Sequence, residues 1–183
     1  MEVTRKGGER MEQVVDRLRR DLASIRTGRA SLSLLDGIQV DYYGSPVPLK
    51  QVASLAVPES RLITIQPWEP SRIQEIEKAI QVANLGLQPS NDGKLIRLSI
   101  PPLTEERRKE YVKLAKKMGE EAKVAVRNLR RDANEHLKKM LKDKTATEDE
   151  ERRAQDEVQK ATDRHVAEID RLLQEKEREL LAV

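Results

Sequence analysis

The chain has no cysteine and no phenylalanine, one tryptophan and only three tyrosines among its 183 residues. The lack of cysteine removes disulfides, thiol catalysis and thiolate metal sites together, and makes a reducing, cytoplasmic setting the expectation. With so few aromatics and 37% charged residues, any core must be aliphatic, which suits helices. No apolar run approaches the roughly 20 residues that a membrane span needs, and the opening MEVTRKGGERMEQ lacks the apolar centre of a signal peptide. Gly-rich phosphate loops, Walker-type lysine motifs, nucleophile elbows and paired metal ligands are all missing. The two histidines, His136 and His165, belong to different predicted helices and read as structural or solvated. No enzyme activity, metal or cofactor is expected.

What the chain has in abundance is charge, and it is unevenly placed. The formal net charge is +3. Residues 1–29 hold eight Lys and Arg against five Asp and Glu, and residues 104–146 hold fourteen against eight. The intervening residues 30–103 are nearly neutral, with six against seven, and residues 147–183 are acidic, with seven against twelve. An anionic partner, most plausibly nucleic acid, would therefore meet the first and third segments.

The third segment organises the rest. From Thr104 to Lys144 it has no proline and one glycine, Gly119. Its apolar residues Tyr111, Leu114, Met118, Ala122, Ala125, Leu129, Ala133, Leu137 and Met140 recur near the helical period. At 1.5 Å per residue this predicts a rod of roughly 60 Å, which needs partner helices to be stable. Thr104 suits its N-cap, with Glu105 and Glu106 at the positive helix start. Opposite the apolar stripe lie Lys109, Lys113, Lys116, Lys123, Arg127, Arg130, Arg131 and Lys138. A basic stripe is ordinarily just a solvated face. At Arg127, Arg130 and Arg131, however, arginine replaces lysine and Asn134 follows a turn later; the planar guanidinium fork suits phosphates and base edges.

Two further helices are predicted. One runs from about Thr4 to Thr27 on Met11, Val14, Leu18, Leu22 and Ile25, with Gly28 as its stop and Arg17, Arg20, Arg26 and Arg29 outside. The other opens at Thr147 with Glu150 three residues on, a capping box, and carries Val158, Thr162, His165 or Val166, Ile169, Leu172 or Leu173, and Leu180. Three such helices make a bundle.

Between Arg29 and Thr104 the helical period gives way to short alternating segments broken by Pro and Gly. Strands are predicted at 38–42, 52–57, 62–66 and 95–100, with turns at Gly44-Ser45-Pro46, Pro58-Glu59-Ser60 and Ser90-Asn91-Asp92-Gly93. Ser71 with Gln74 suggests a capping box opening a helix through Ile73, Ile76, Ile80 and Val82 that stops near Leu85-Gly86. The fold class is thus α+β: a discontinuous antiparallel three-helix bundle, residues 1–29 plus 104–183, carrying an inserted β/α/β domain, residues 30–103. Two chain crossings lying together would form a double hinge at Arg29, Ala30, Ser31 and at Pro101, Pro102, Leu103, Thr104. Tyr42, Tyr43 and Trp68 in the insert read as core or sheet packing, with a base-stacking platform as the lesser reading.

Several stretches carry a resemblance that spans nearly the whole chain. Ile25-Arg26-Thr27-Gly28-Arg29-Ala30, Asp41-Tyr42-Tyr43-Gly44, Leu85-Gly86-Leu87, Pro102 through Lys109 (PLTEERRK) and Val126 through Arg131 (VRNLRR) resemble, in order and spacing, the signatures of the bacterial ribosome recycling factor family. Asn84 and Gln88 depart from the Asp and Asn expected around Leu-Gly-Leu. The resemblance implies an L-shaped, tRNA-like protein whose helical bundle is domain I and whose β/α/β sandwich is domain II. It implies binding to the post-termination ribosome across the A and P sites of the large subunit. It also implies subunit splitting with elongation factor G, which hydrolyses the GTP. On this carry-over Arg130 matches the key 23S rRNA-contacting arginine, and Arg127, Arg26 and Arg29 match basic positions of the same domain; Arg131 and Lys123 join them from the basic stripe. The protein is expected to act as a monomer. The rival reading, a scaffolding bundle that binds another protein, is disfavoured by the segregated charge.

Overall fold

A computed structural model describes residues 2–182. The chain divides into two compact units: the residues up to Thr27 together with those from Thr104 onward, and the segment Gly28–Leu103.

The first unit is three helices, α1 (Glu2–Ala23), α3 (Glu105–Lys142) and α4 (Glu148–Leu181), the second helix of the chain belonging to the other unit. Side-chain pairings give their directions. Lys116 meets Glu177, Lys123 meets Asp170 and Arg130 meets Gln159, so α3 and α4 are antiparallel. On α1, Met11 meets Thr162, Glu12 meets His165 and Arg19 meets Glu168, so α1 runs parallel to α4.

Both helix starts are made as their sequences predict. The Thr104 hydroxyl accepts from the Arg107 N–H at 3.2 Å. Thr147 and Glu150 form a reciprocal capping box, Glu150 N–H to Thr147 Oγ1 at 3.3 Å and Thr147 N–H to Glu150 Oε2 at 2.8 Å. The predicted end of the first helix needs correction. α1 stops at Ala23, because the Ser24 hydroxyl donates to the Asp21 carbonyl at 2.6 Å and takes a group that would have continued the ladder. Gly28 is not that helix's stop. Its φ of +73° brings the chain against Leu103, whose nitrogen lies 3.1 Å from where a Cβ at Gly28 would stand. The two chain crossings therefore do lie side by side.

The buried seams also differ from the predicted ones by about a residue. On α3 the most buried positions are Ala115, Gly119, Ala122, Val126, Ala133 and Leu137, while Leu114 is 40% exposed. Small side chains face the neighbouring helices because they permit close approach, and the larger residues flank them. On α1 Val15 takes the fully buried place expected of Val14, and on α4 it is His165, not Val166, that turns inward.

The second unit has β1 (Gln39–Tyr42) and β2 (Ser45–Pro48) as a hairpin, and a four-stranded antiparallel sheet of β3 (Ala53–Glu59), β4 (Leu62–Pro67), β5 (Pro89–Asn91) and β6 (Ile96–Ser99) in the order β3-β4-β6-β5. Helix α2 (Ile73–Val82) packs with them around Leu35, Val40, Leu49, Ile63, Ile65, Ile76, Ile80, Ile96 and Leu98. At roughly 25 cal/mol per Å² of apolar area buried, a core of β-branched and leucine side chains suffices without aromatics. The turn expected at Gly44-Ser45-Pro46 falls instead on Tyr43-Gly44, and Ser45–Pro48 is strand. Prolines 46 and 48 are tolerated because β2 pairs on one side only. β5 is too short for its alternation to be read. The Ser71 capping box does not form: a single 3-10 turn, Pro70–Arg72, leads into α2, and Arg72 at its N-cap makes no capping bond.

Candidate nucleic-acid interface

Charge on the bundle is divided by how it is paired. In the first half of α3, Arg107 pairs with Glu110, Lys109 with Glu105, Lys116 with Glu177, and Lys117 with Glu121. Most cations of α4 are likewise engaged, Arg171 by both Glu168 and Glu175. From Arg127 to the end of the α3–α4 loop the pattern changes. Arg127, Arg130, Arg131, Lys138, Lys139, Lys142 and Lys144 face only Asp132, Glu135 and Asp143 in sequence. Among the described residues none of these seven cations forms a salt bridge.

Arg130 is the most constrained of them. Its Nη1 donates to Gln159 Oε1 on α4 at 3.2 Å, and the Gln159 amide nitrogen donates to Asp163 Oδ1 at 2.8 Å. The Asp163 contact orients the amide so that its oxygen faces the guanidinium. Arg130 is thus steadied by a neutral group, and its positive charge stays uncompensated. Arg127 and Arg131 stand one turn apart on the same face, exposed and without a carboxylate between them. Like charges at this spacing cost a few tenths of a kcal/mol in isolation. An anion bound between them would reverse that sign.

Lys123 is placed differently. Only 14% of its side chain is exposed, and its ammonium is held by Asp170 at 2.5 Å and Glu120 at 3.2 Å. The Asp170 hydrogen bond holds its pKa above the ordinary lysine value despite burial. It ties α3 to α4 and brings little free charge to the basic stripe.

The structure does not bring all the predicted arginines together. α1 runs antiparallel to α3, with Gly7 against Ala133. Arg26 follows the end of α1 at Ala23, whereas Arg130 lies within α3. Arg26 and Arg29 are both exposed, Arg26 at the end of the first unit and Arg29 at the start of the second. Gln159 and Asp170 were invisible in the sequence as parts of this site, since their partners on α3 lie 29 and 47 positions away and only helix packing reveals the pairing.

Among the described residues no group of three His, Cys, Asp or Glu side chains could hold a metal ion. His136 is exposed, and His165 is buried between the Ala161 carbonyl at 2.6 Å and Glu12 at 3.0 Å, where it links α4 to α1. No helix among the described residues is long and apolar enough to cross a membrane.

The family model described as "Ribosome recycling factor" matches residues 18–181. The chain is 61% identical to the ribosome-recycling factor of Oleidesulfovibrio alaskensis over 175 residues, covering 96% of this chain and 95% of that one. It is 54% identical to that of Brevibacillus brevis with the same coverage. A solution structure of the ribosome recycling factor superposes with a TM-score of 0.79 at 42% identity, covering 100% of this chain and 97% of the other. A second, of the T. thermophilus factor with E. coli elongation factor G on the E. coli post-termination complex, gives a TM-score of 0.63 at 43% identity, covering 99% and 98%. On the family match, the relatives and the shared bundle-plus-sheet architecture, the chain belongs to the ribosome recycling factor family.

Proposed function

We propose that this chain binds the post-termination ribosome across the A and P sites of the large subunit and splits the subunits together with elongation factor G, without catalysing a reaction itself. The observation that carries the reading is the unpaired run of cations from Arg127 onward, with Arg130 held out by the neutral Gln159. Such a surface recognises the phosphates and shape of folded RNA, and arginine forks set its register. Arg130, Arg127 and Arg131 are the central contacts to 23S rRNA, and Arg26 and Arg29 extend the footprint. Lys123 supports it by fastening α3 to α4.

The helical unit then works as a stiff lever. The second unit, joined through Arg29 to Ser31 and Pro101 to Thr104, is the part that elongation factor G pushes while it hydrolyses GTP. Two adjacent connections permit bending and resist free tumbling. The chain acts as a cytoplasmic monomer. The test is a subunit-splitting assay with purified post-termination ribosomes, with and without elongation factor G and GTP. Splitting that needs all three components is the expected result, and absence of splitting with all present would sink the proposal.

A further inference from the structure

The seam between α3 and α4 holds a polar group that the packing of the two helices does not account for. Asn134 is half-buried, and its Oδ1 is sealed from solvent without a hydrogen-bond partner. Among the described residues its amide hydrogens have no partner either. A buried acceptor without a donor bears the full loss of its hydration, and in a folded chain such a group calls for an explanation. Asparagine is also a weak helix former, and alanine or leucine would occupy the same place without an orphaned oxygen.

Its position supplies the explanation. Asn134 comes three residues after Arg131 and four after Arg130, so it adjoins both on the helix surface. Arg130 reaches across to Gln159 of α4, which sets Asn134 on the α4 side of α3, at the edge of the cation run. The cations beside it carry donors only, and the phosphates that such donors meet hold no sequence information. A carboxamide presents a donor next to an acceptor, the pair that reads the edge of a base. Folded RNA exposes such edges at its unpaired bases. Rotation about the last side-chain bond of asparagine is broad, so the amide turns out of the seam with little strain. In doing so it exchanges an unmade hydrogen bond for two made ones.

We propose that Asn134 reads the Watson–Crick edge of an unpaired adenine or cytosine in the RNA that Arg130 and Arg131 grip. Oδ1 accepts from the amino group of the base, and Nδ2 donates to the ring nitrogen next to it. The arginines set the register and Asn134 selects the base. The inference rests on the reading under "Proposed function" and adds to it a residue that determines specificity.

The experiment compares wild type with Asn134→Ala and Asn134→Leu in thermal unfolding and in binding to purified large subunits over a salt series. The bound subunits are also probed with dimethyl sulfate, which methylates free adenine N1 and cytosine N3. Both variants unfold at an unchanged or higher temperature, because the orphaned acceptor is gone. Each binds at least about fivefold more weakly, with the salt slope of wild type, because no phosphate contact is lost. One adenine or cytosine that wild type protects becomes reactive with both. Wild-type affinity, a salt slope reduced by about 1, or an unchanged methylation pattern overturns the assignment. Should Asn134→Ala unfold early, Asn134→Leu, which fills the seam, decides by binding and methylation. Early unfolding of both marks a structural amide and overturns the assignment equally. If wild type itself does not bind large subunits, the fault lies in the parent reading.

Discussion

Leu173 of α4 rests directly on the backbone of α3 at Gly119: a Cβ built there would stand 2.2 Å from Leu173 Cδ1, 2.7 Å from Cδ2 and 2.8 Å from Cγ. Only a glycine lets the two helices approach this closely.

The first prediction follows from that contact. In a free helix Gly→Ala gains about 1 kcal/mol, but here Cγ itself is too near for a simple swing of the leucine tip, and overpacking costs roughly 1–3 kcal/mol. Gly119→Ala is expected to lower stability by about 1 kcal/mol or more after that gain. Adding Leu173→Ala removes the clash, so a double-mutant cycle in urea shows a coupling of opposite sign to the single loss. Simple additivity would refute the contact.

A second prediction concerns the guanidinium that Gln159 steadies. Arg130→Ala leaves the helical circular dichroism intact, weakens large-subunit binding strongly and abolishes splitting. Gln159→Glu keeps Arg130 but places a carboxylate at about 3 Å, turning a free cation into an ion pair. Binding then falls, while Gln159→Ala falls less. Normal binding by Arg130→Ala would remove this arginine from the interface.

Salt supplies a third. Each phosphate neutralised releases counterions, so log affinity falls linearly with log salt at a slope of about 0.7–0.9 per contact. Contacts by Arg127, Arg130 and Arg131 predict a slope of at least about 2, reduced by about 1 in each single arginine-to-alanine variant. Lys123→Ala should leave the slope nearly unchanged and lower the melting temperature. An affinity that does not move between low and physiological salt contradicts the basic-face reading.

The last is a pH dependence in the second unit. Asp92 accepts from the Lys94 and Leu95 backbone N–H groups at 3.0 and 2.8 Å and from Arg97 at 2.9 Å, which lowers its pKa to about 2. The Lys94 N–H is the largest cause, followed by Arg97. A carboxyl depressed in the folded state adds stability above its unfolded value, and that stability is lost as pH falls through its folded value. Between about pH 4 and about pH 2, wild type should lose stability that Asp92→Asn does not have to lose. Parallel acid titrations of the two proteins would rule this out.

Much of the architecture was legible along the chain because it rests on local signals. The 3.6-residue period of α3, the Thr104 and Thr147 caps and the Asp92 turn each lie within a few residues of one another, so sequence spacing carries them. The arginine run was legible for the same reason. Where reading failed, a local signal lost to a competing contact. Gly28 looked like a helix stop but serves the approach to Leu103, and Ser71 looked like a cap in a chain whose Arg72 is drawn toward Tyr43 and Glu75.

By itself, then, the sequence determined the long helices, most of the strands, the segregation of charge and the family resemblance. Tertiary structure alone decided which of those charges are spent. Lys123 and Arg130 lie on one helix seven residues apart, yet the first meets Asp170 and the second meets Gln159, so one is neutralised and the other is not. That difference arises from the register of α3 against α4, set by how small residues such as Gly119 seat the opposing helix, and no spacing within either helix contains it.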